Sequence, residues 1–254
     1  VADEVLYEAR DGVAVITINR PGSRNAVNAA VAAGIAEALD DLDARADLAV
    51  GVVTGAGGTF CAGMDLKAFL RGELPVAEGR GFGGLTQRPP RKPLIAAVEG
   101  YALAGGFEIV LACDLVVAAE DARFGIPEVK RGLVAAAGGL LRLQHRIPRN
   151  IAMEFALTGD FVAAPRAAEL GLVNQVTPGG GALDGALALA ARIAPNAPMA
   201  VAVSKRVIAE SGDWPSGEMW ERQDEITGPV FTSRDAMEGA AAFAERRSPV
   251  WRGE

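Results

Sequence analysis

The stretch Leu94-Ile95-Ala96-Ala97-Val98-Glu99-Gly100-Tyr101-Ala102-Leu103-Ala104-Gly105-Gly106-Phe107-Glu108-Ile109-Val110-Leu111-Ala112 decides how this chain folds. Its first five residues form an unbroken apolar run that stops at Gly100, the signature of a buried strand. Small residues follow, and then an apolar segment opens at Gly105 and runs on as a helix. A second apolar run, Leu115 to Ala119, comes directly after. Strand, helix and strand in this order make the repeating unit of a sheet covered by helices.

The same rhythm extends outwards. Val13 to Ile18 reads as a strand, Val31, Ile35, Leu39 and Leu42 share one face of a helix, and Leu48 to Thr54 reads as the next strand. The pattern predicts an α/β fold. From Pro165 the chain turns mostly helical, with Pro165 suited to a first helical turn, Gly171 to a stop, and one short strand at Leu172 to Val176. Gly179-Gly180-Gly181 is the most flexible connector by composition. Pro195 to Pro198 punctuates the last region, which places a boundary near Ala194 and divides the chain into residues 1–194 and 195–254. Three helices are expected in the second part, Met199 to Glu210, Ser216 to Ile226 and Arg234 to Arg246, the last with Ser233 as N-cap. A helical set of this size would be marginal alone, so it is expected to pack on the main body or on another subunit.

Composition narrows the classes of function. Half of the 254 residues are hydrophobic and only 6% are aromatic, so the core must be built from Ala, Val, Leu and Ile. A net charge of −7 with mixed signs leaves no basic stripe to neutralise phosphates, and no nucleic-acid partner is expected. Cys61 and Cys113 lack the spacing of a disulfide framework or metal site, which suits a reducing, cytoplasmic setting. No secretion signal or transit peptide is visible at the start, and no apolar run approaches the roughly 20 residues of a membrane span, so a soluble protein is expected.

Glu108 is the most informative single residue. Its helical neighbours three and four positions away are Ala104, Gly105, Leu111 and Ala112, which leaves no solvated face for a carboxylate. Burying it costs several kcal/mol unless it is paired or neutralised, and the same burial raises its pKa towards the range useful for proton transfer. Gly105-Gly106, at the strand-to-helix turn just before it, either lets a ligand approach polarised backbone N–H groups or serves packing alone. The loop Phe60-Cys61-Ala62-Gly63-Met64-Asp65-Leu66 has the same character, and by spacing alone an ordinary glycine turn is its commoner reading. Glu128, after Phe124-Gly125-Ile126-Pro127, would by itself be a surface or ion-paired residue; beside a buried Glu108 it would be the second carboxylate that water addition or elimination requires. Gly55-Ala56-Gly57-Gly58 lacks the third glycine of a dinucleotide loop, Phe60 standing in its place. His145, the only histidine, sits among Arg142, Gln144 and Arg146 as a solvated helix end, Cys61 reads as a small buried thiol, and no cluster of ligands suggests a metal.

Taken together and in order, the motifs resemble the enoyl-CoA hydratase/isomerase (crotonase) family over nearly the whole chain. They are Asn19-Arg20-Pro21 with Asn25-Ala26-Val27, Phe60 to Lys67, Ala96 to Ala102 leading to Gly105-Gly106-Phe107-Glu108, Ala122 to Glu128, and Ala168 to Val176. The resemblance implies a crotonase-like spiral of ββα units over residues 1–194, holding the active site, and a helical oligomerisation region over 195–254, assembled as homotrimers or dimers of trimers. It implies an oxyanion hole made by the N–H groups of Met64 and Gly105. Glu108 would activate water and Glu128 would deliver a proton to the α-carbon. Arg24, Ala26 and Val27, with Ala62, Asp65 and Leu66, would lie along the coenzyme A moiety, and Phe69 to Arg91 along the acyl side, where Gly79 to Gly84 suggests mobility. Ala104 stands where the family often has a first glycine and Ala135 where it often has a proline, neither expected to bear on the chemistry.

The function so implied is reversible syn hydration of a trans-2-enoyl-CoA, as in fatty acid metabolism. It needs no metal or redox cofactor, coenzyme A being part of the substrate. Retention of both glutamates favours this over isomerisation or thioester hydrolysis. The ending Asp235 to Gly239, Phe243 to Arg247 and Pro249 to Trp251 also resembles the carnitinyl-CoA dehydratase subgroup, and a silent acyl-CoA-binding member is the alternative from a different class.

Overall fold

A computed structural model describes residues 4–254. Strands β1 (Val5–Arg10) and β2 (Val13–Ile18) form a hairpin, and helix α1 (Ala29–Ala44) then carries the chain to β3 (Val50–Gly55). Asn28 caps α1 by accepting from the Val31 N–H at 2.9 Å, and Val31, Ile35, Leu39 and Leu42 are all buried, as their spacing predicts. β1 escapes the sequence reading because it is an edge strand: only Val5 is fully buried, so the hydrophobic alternation is faint.

After the short helix α2 (Leu66–Leu70) and a small hairpin of β4 (Val76–Ala77) and β5 (Gly81–Phe82), the chain enters β6 (Leu94–Val98). Two ββα passages follow. β6 lies in the large sheet, β7 (Tyr101–Leu103) in a second, three-stranded sheet, and α3 (Gly105–Ala112) runs back. β8 (Leu115–Ala119) returns to the large sheet, β9 (Arg123–Gly125) to the small one, and a 3-10 turn at Pro127–Arg131 leads to α4 (Gly139–Arg146) and α5 (Arg149–Thr158). Gly100 makes the β6 to β7 corner at φ +55°, where a Cβ would lie 2.4 Å from the Gly58 carbonyl oxygen. β10 (Val162–Ala163), α6 (Ala164–Glu169), β11 (Gln175–Thr177) and α7 (Ala182–Ile193) complete the body. Pairing of β11 with β8 begins only at Asn174, whose N–H and side chain both bond to Val116, so Leu172 and Val173 are buried in the turn and not in the strand expected there.

The large sheet has the order β1-β2-β3-β6-β8-β11, antiparallel only at β1 and β2. Its inner strands β2, β3, β6 and β8 are buried on both faces, as parallel strands under helices are. Ala14, Ile16 and Ile18 face the main core with α1 and α3, whereas Val13, Val15, Val52 and Val117 face α7 through its alanines 182, 186 and 190.

Past α7, α8 (Pro198–Glu210), α9 (Met219–Phe231) and α10 (Arg234–Glu245) stand largely outside this core. α8 and α9 have no buried residue, and Trp220, Phe231 and Phe243 are exposed. α9 starts later than expected because Pro215 to Glu218 form a turn, and it continues through Pro229. Ser233 caps α10, accepting from the Ala236 N–H at 3.0 Å. Lys205 ties α8 to the body through Asp114 at 2.7 Å. Among the described residues no single helix is long and apolar enough to cross a membrane.

Candidate active site

The site is built around the start of α3, where the chain leaves the small sheet. Ala104 holds φ +51° and ψ −129°, a conformation that a residue with a Cβ adopts only under strain. The reason is visible in what it aims: ψ of Ala104 sets the plane of the next peptide and so the direction of the Gly105 N–H. Gly105 and Gly106 must be bare. A Cβ on Gly105 would lie 2.3 Å from the Phe82 ring, and one on Gly106 would lie 2.2 Å from the Cys61 carbonyl oxygen.

That second contact joins α3 to the 60–66 loop. Cys61 donates to the Tyr101 carbonyl and accepts from the Leu103 N–H, at 2.9 and 3.0 Å, extending the small sheet by one step. Val27 then donates to the Gly63 carbonyl and accepts from the Asp65 N–H, at 2.8 Å each. Such a parallel bridge uses the residues on either side of Met64 and turns the N–H of Met64 away from Val27. Neither the Met64 nor the Gly105 N–H donates to another group among the described residues. Gly63, at φ +104°, brings the two together: its Cβ position is 3.3 Å from the Gly105 nitrogen.

Glu108 is 3% exposed. Its Oε1 accepts from the N–H groups of Ala137 at 2.7 Å and Gly139 at 2.8 Å, so it also caps the start of α4. Burial raises its pKa, opposed by the two N–H groups and by the nearby Arg142 guanidinium. Glu128 is half-buried on the 3-10 turn, and its Oε2 is enclosed without a hydrogen-bond partner. Its pKa is raised chiefly by burial, and further by the negative charge of Glu108. The fold has therefore brought the two carboxylates within electrostatic reach of each other.

The residues expected along coenzyme A fall in different settings. Arg24 and Leu66 are exposed, Ala26, Ala62 and Asp65 are half-buried, and Val27 is fully buried, its backbone holding the Met64 loop. The Asp65 carboxylate is already engaged, capping α2 through the N–H groups of Lys67 and Ala68 and pairing with Arg20 at 2.9 Å. Asn25, which carried no role in the sequence, is buried at φ +56° and donates to the Ala56 and Thr59 carbonyls, fixing the bend before Val27. Gly138-Gly139 was also missed, although a glycine pair opening a helix is the same signal as Gly105-Gly106. Of the tract Gly79 to Gly84, Gly79 is exposed with open space around it, whereas residues 81–84 are buried or half-buried and a Cβ on Gly84 would meet the Ala32 carbonyl oxygen at 2.1 Å. His145 is exposed, and burial pushes the Cys61 thiol up to about 12, too high for a nucleophile.

Ala104 bears on stability through its backbone conformation. Ala104→Gly relieves a strained backbone while freeing the unfolded chain, and should raise the unfolding free energy by about 1 kcal/mol. Urea denaturation checks this: the midpoint should rise at unchanged slope.

Comparison with known proteins agrees with this architecture. The sequence matches the family description "Enoyl-CoA hydratase/isomerase" over residues 8–254. It is 42% identical over 253 residues to an enoyl-CoA hydratase of Mycobacterium tuberculosis, covering 97% of this chain and 95% of that one. A carnitinyl-CoA dehydratase of Salmonella enteritidis is 40% identical over 259 residues, covering 98% and 99%. A crystal structure of another enoyl-CoA hydratase from M. tuberculosis superposes with a TM-score of 0.97 at 63% identity, covering 99% of each chain. With the ββα spiral, the glycine-opened helix and both carboxylates in place, the chain belongs to the enoyl-CoA hydratase/isomerase family.

Proposed function

We propose that this protein is an enoyl-CoA hydratase that adds water reversibly and syn across a trans-2-enoyl-CoA, giving a 3-hydroxyacyl-CoA. The observation that carries this reading is the pairing of a buried carboxylate, Glu108, with a half-buried one, Glu128, beside two unengaged N–H groups. The thioester carbonyl accepts from Met64 and Gly105, which stabilise the enolate oxygen; a donor in such a position is worth about 2.7–4 kcal/mol. Water adds its oxygen to C3 and yields a proton to Glu108, while Glu128 gives its proton to C2. Both hydrogens and the oxygen are accounted for, and proton exchange with solvent resets the pair. The environments favour these roles: Glu108 has two N–H donors and Arg142 to support its charge, while Glu128 has an enclosed oxygen that is better left protonated. Coenzyme A enters as part of the substrate, and the carboxylates and N–H groups carry the reaction without a metal or redox cofactor. The apolar residues exposed on α9 and α10 suit a homotrimer or dimer of trimers, and free Cys61 and Cys113 suit the cytoplasm.

The direct test is incubation with crotonyl-CoA, following loss of the conjugated enoyl-thioester absorbance. No loss with crotonyl-CoA or with longer and branched enoyl esters overturns the reading. Likeness to a carnitinyl-CoA dehydratase supports a second reading, the same chemistry run as dehydration of an acyl group bearing a trimethylammonium; product mass and chirality separate the two.

A bell-shaped pH dependence of kcat/KM is expected. Both carboxylates are held above their ordinary range, and the working pair carries one proton. Activity should fall at low pH as Glu108 gains its proton and at high pH as Glu128 loses one. Both limbs should lie above the ordinary carboxylate pKa of about 4.3. An acid limb below that value would contradict the assignment.

A further inference from the structure

Arg142 is a half-buried guanidinium on α4 that touches no reacting atom, yet it reaches two parts of the site. Its Nη2 donates to the Thr86 carbonyl at 2.5 Å. Thr86 closes the turn that carries Phe82, through its own N–H to the Phe82 carbonyl at 3.2 Å, and the Phe82 ring lies against Gly105. On its other side, Nη1 occupies the space where a side chain at Gly138 would stand, 2.2 Å from that Cβ position. Gly138, at φ +98°, is the residue between Ala137 and Gly139, whose N–H groups hold Glu108. One planar side chain therefore braces the carbonyl-binding corner and the carboxylate-binding corner against each other. A lysine has neither the fork nor the flat face to do both.

We propose that Arg142 is a positioning residue that couples the Phe82 turn at Gly105 to the Gly138 turn at Glu108, fixing the distance between the two halves of the site. The kinetic part of this inference rests on the hydratase reading; the structural part does not. The charged or titratable groups facing Glu108 are Glu128 from the 3-10 turn and Arg142 from α4, with Arg131 acting on Glu128 and Arg146 and Cys113 on Arg142.

The experiment compares wild type, Arg142→Lys and Arg142→Gln as full-length protein. Hydrogen exchange of the unliganded chain is read first. In Arg142→Gln, exchange should quicken about tenfold, one hydrogen bond's worth, in both the 84–88 and the 136–140 peptides, with the large sheet unchanged. Arg142→Lys should quicken both to a lesser extent, and it carries the comparison if the glutamine variant does not fold. Turnover of crotonyl-CoA is read second. kcat should fall about 10²-fold in Arg142→Gln at a KM within a few-fold of wild type, the cost of a misplaced constellation. Its acid limb should move to higher pH, since a cation beside Glu108 is gone, whereas Arg142→Lys should lose kcat without moving that limb. Faster exchange in only one peptide, a uniform loss of protection across the sheet, or unchanged exchange overturns the proposal. If wild type fails to turn over crotonyl-CoA, the hydratase reading falls and exchange alone decides Arg142.

Discussion

Glu108→Gln should lower kcat about 10³-fold, within the span general acid–base groups contribute, while affinity for a CoA ester stays close to wild type. The substitution is nearly isosteric, and its amide oxygen can still accept from Ala137 and Gly139, so the cap on α4 survives. On the proposed mechanism, what is lost is the group that takes the proton from water. Steady-state kinetics with crotonyl-CoA and a binding titration with a non-reacting CoA ester separate the two effects. Turnover at the wild-type level would remove Glu108 from the mechanism. Removing the buried charge also removes an influence that raises the pKa of Glu128. Glu128→Gln should reduce kcat comparably, and the double variant should cost far less than the product of the singles, because in the proposed mechanism the two carboxylates act as one unit.

Gly106→Ala should harm both stability and catalysis although it adds one methyl group away from the reacting atoms. The new Cβ would sit 2.2 Å from the Cys61 carbonyl oxygen and 2.8 Å from its carbonyl carbon, both backbone atoms that cannot swing aside. Either α3 or the 60–66 loop must move. Overpacking of this kind costs about 1–3 kcal/mol, visible as a lower thermal midpoint. The movement separates the Met64 and Gly105 N–H groups, and a shift near 1 Å costs about 10² in kcat. A variant that kept both wild-type stability and wild-type kcat would mean that the Cys61 contact does not set the spacing of the donors. Gly212→Ala serves as the control, since nothing lies within 4 Å of a Cβ there.

Much of the framework was legible because it is locally encoded. The runs Leu94 to Val98 and Leu115 to Ala119 are strands at those bounds, and the Val31, Ile35, Leu39, Leu42 stripe faces the core. Where local signals were weak the reading missed: β1 at the exposed edge, and the start of β11, fixed by a side-chain bond from Asn174. The glycine-rich tract Gly79 to Gly84 shows a related ambiguity, open at Gly79 and closely packed at Gly84. Glycine marks freedom in an open chain and close approach in a packed one, and only the neighbours Ala32 and Ile109 tell which applies.

By itself the sequence determined the α/β rhythm, the buried faces of its helices and the burial of Glu108, because periodicity and the polarity of near neighbours dictate these within a few turns of chain. Only the tertiary structure decided that Glu128 would meet Glu108, that Val27 would turn the Met64 N–H outward beside that of Gly105, that Ala104 would carry strain to aim it, and that Arg142 would bridge Thr86 and Gly138. These depend on the register of parallel crossovers and on contacts between segments tens of residues apart, for which no local pattern in the chain holds a signal.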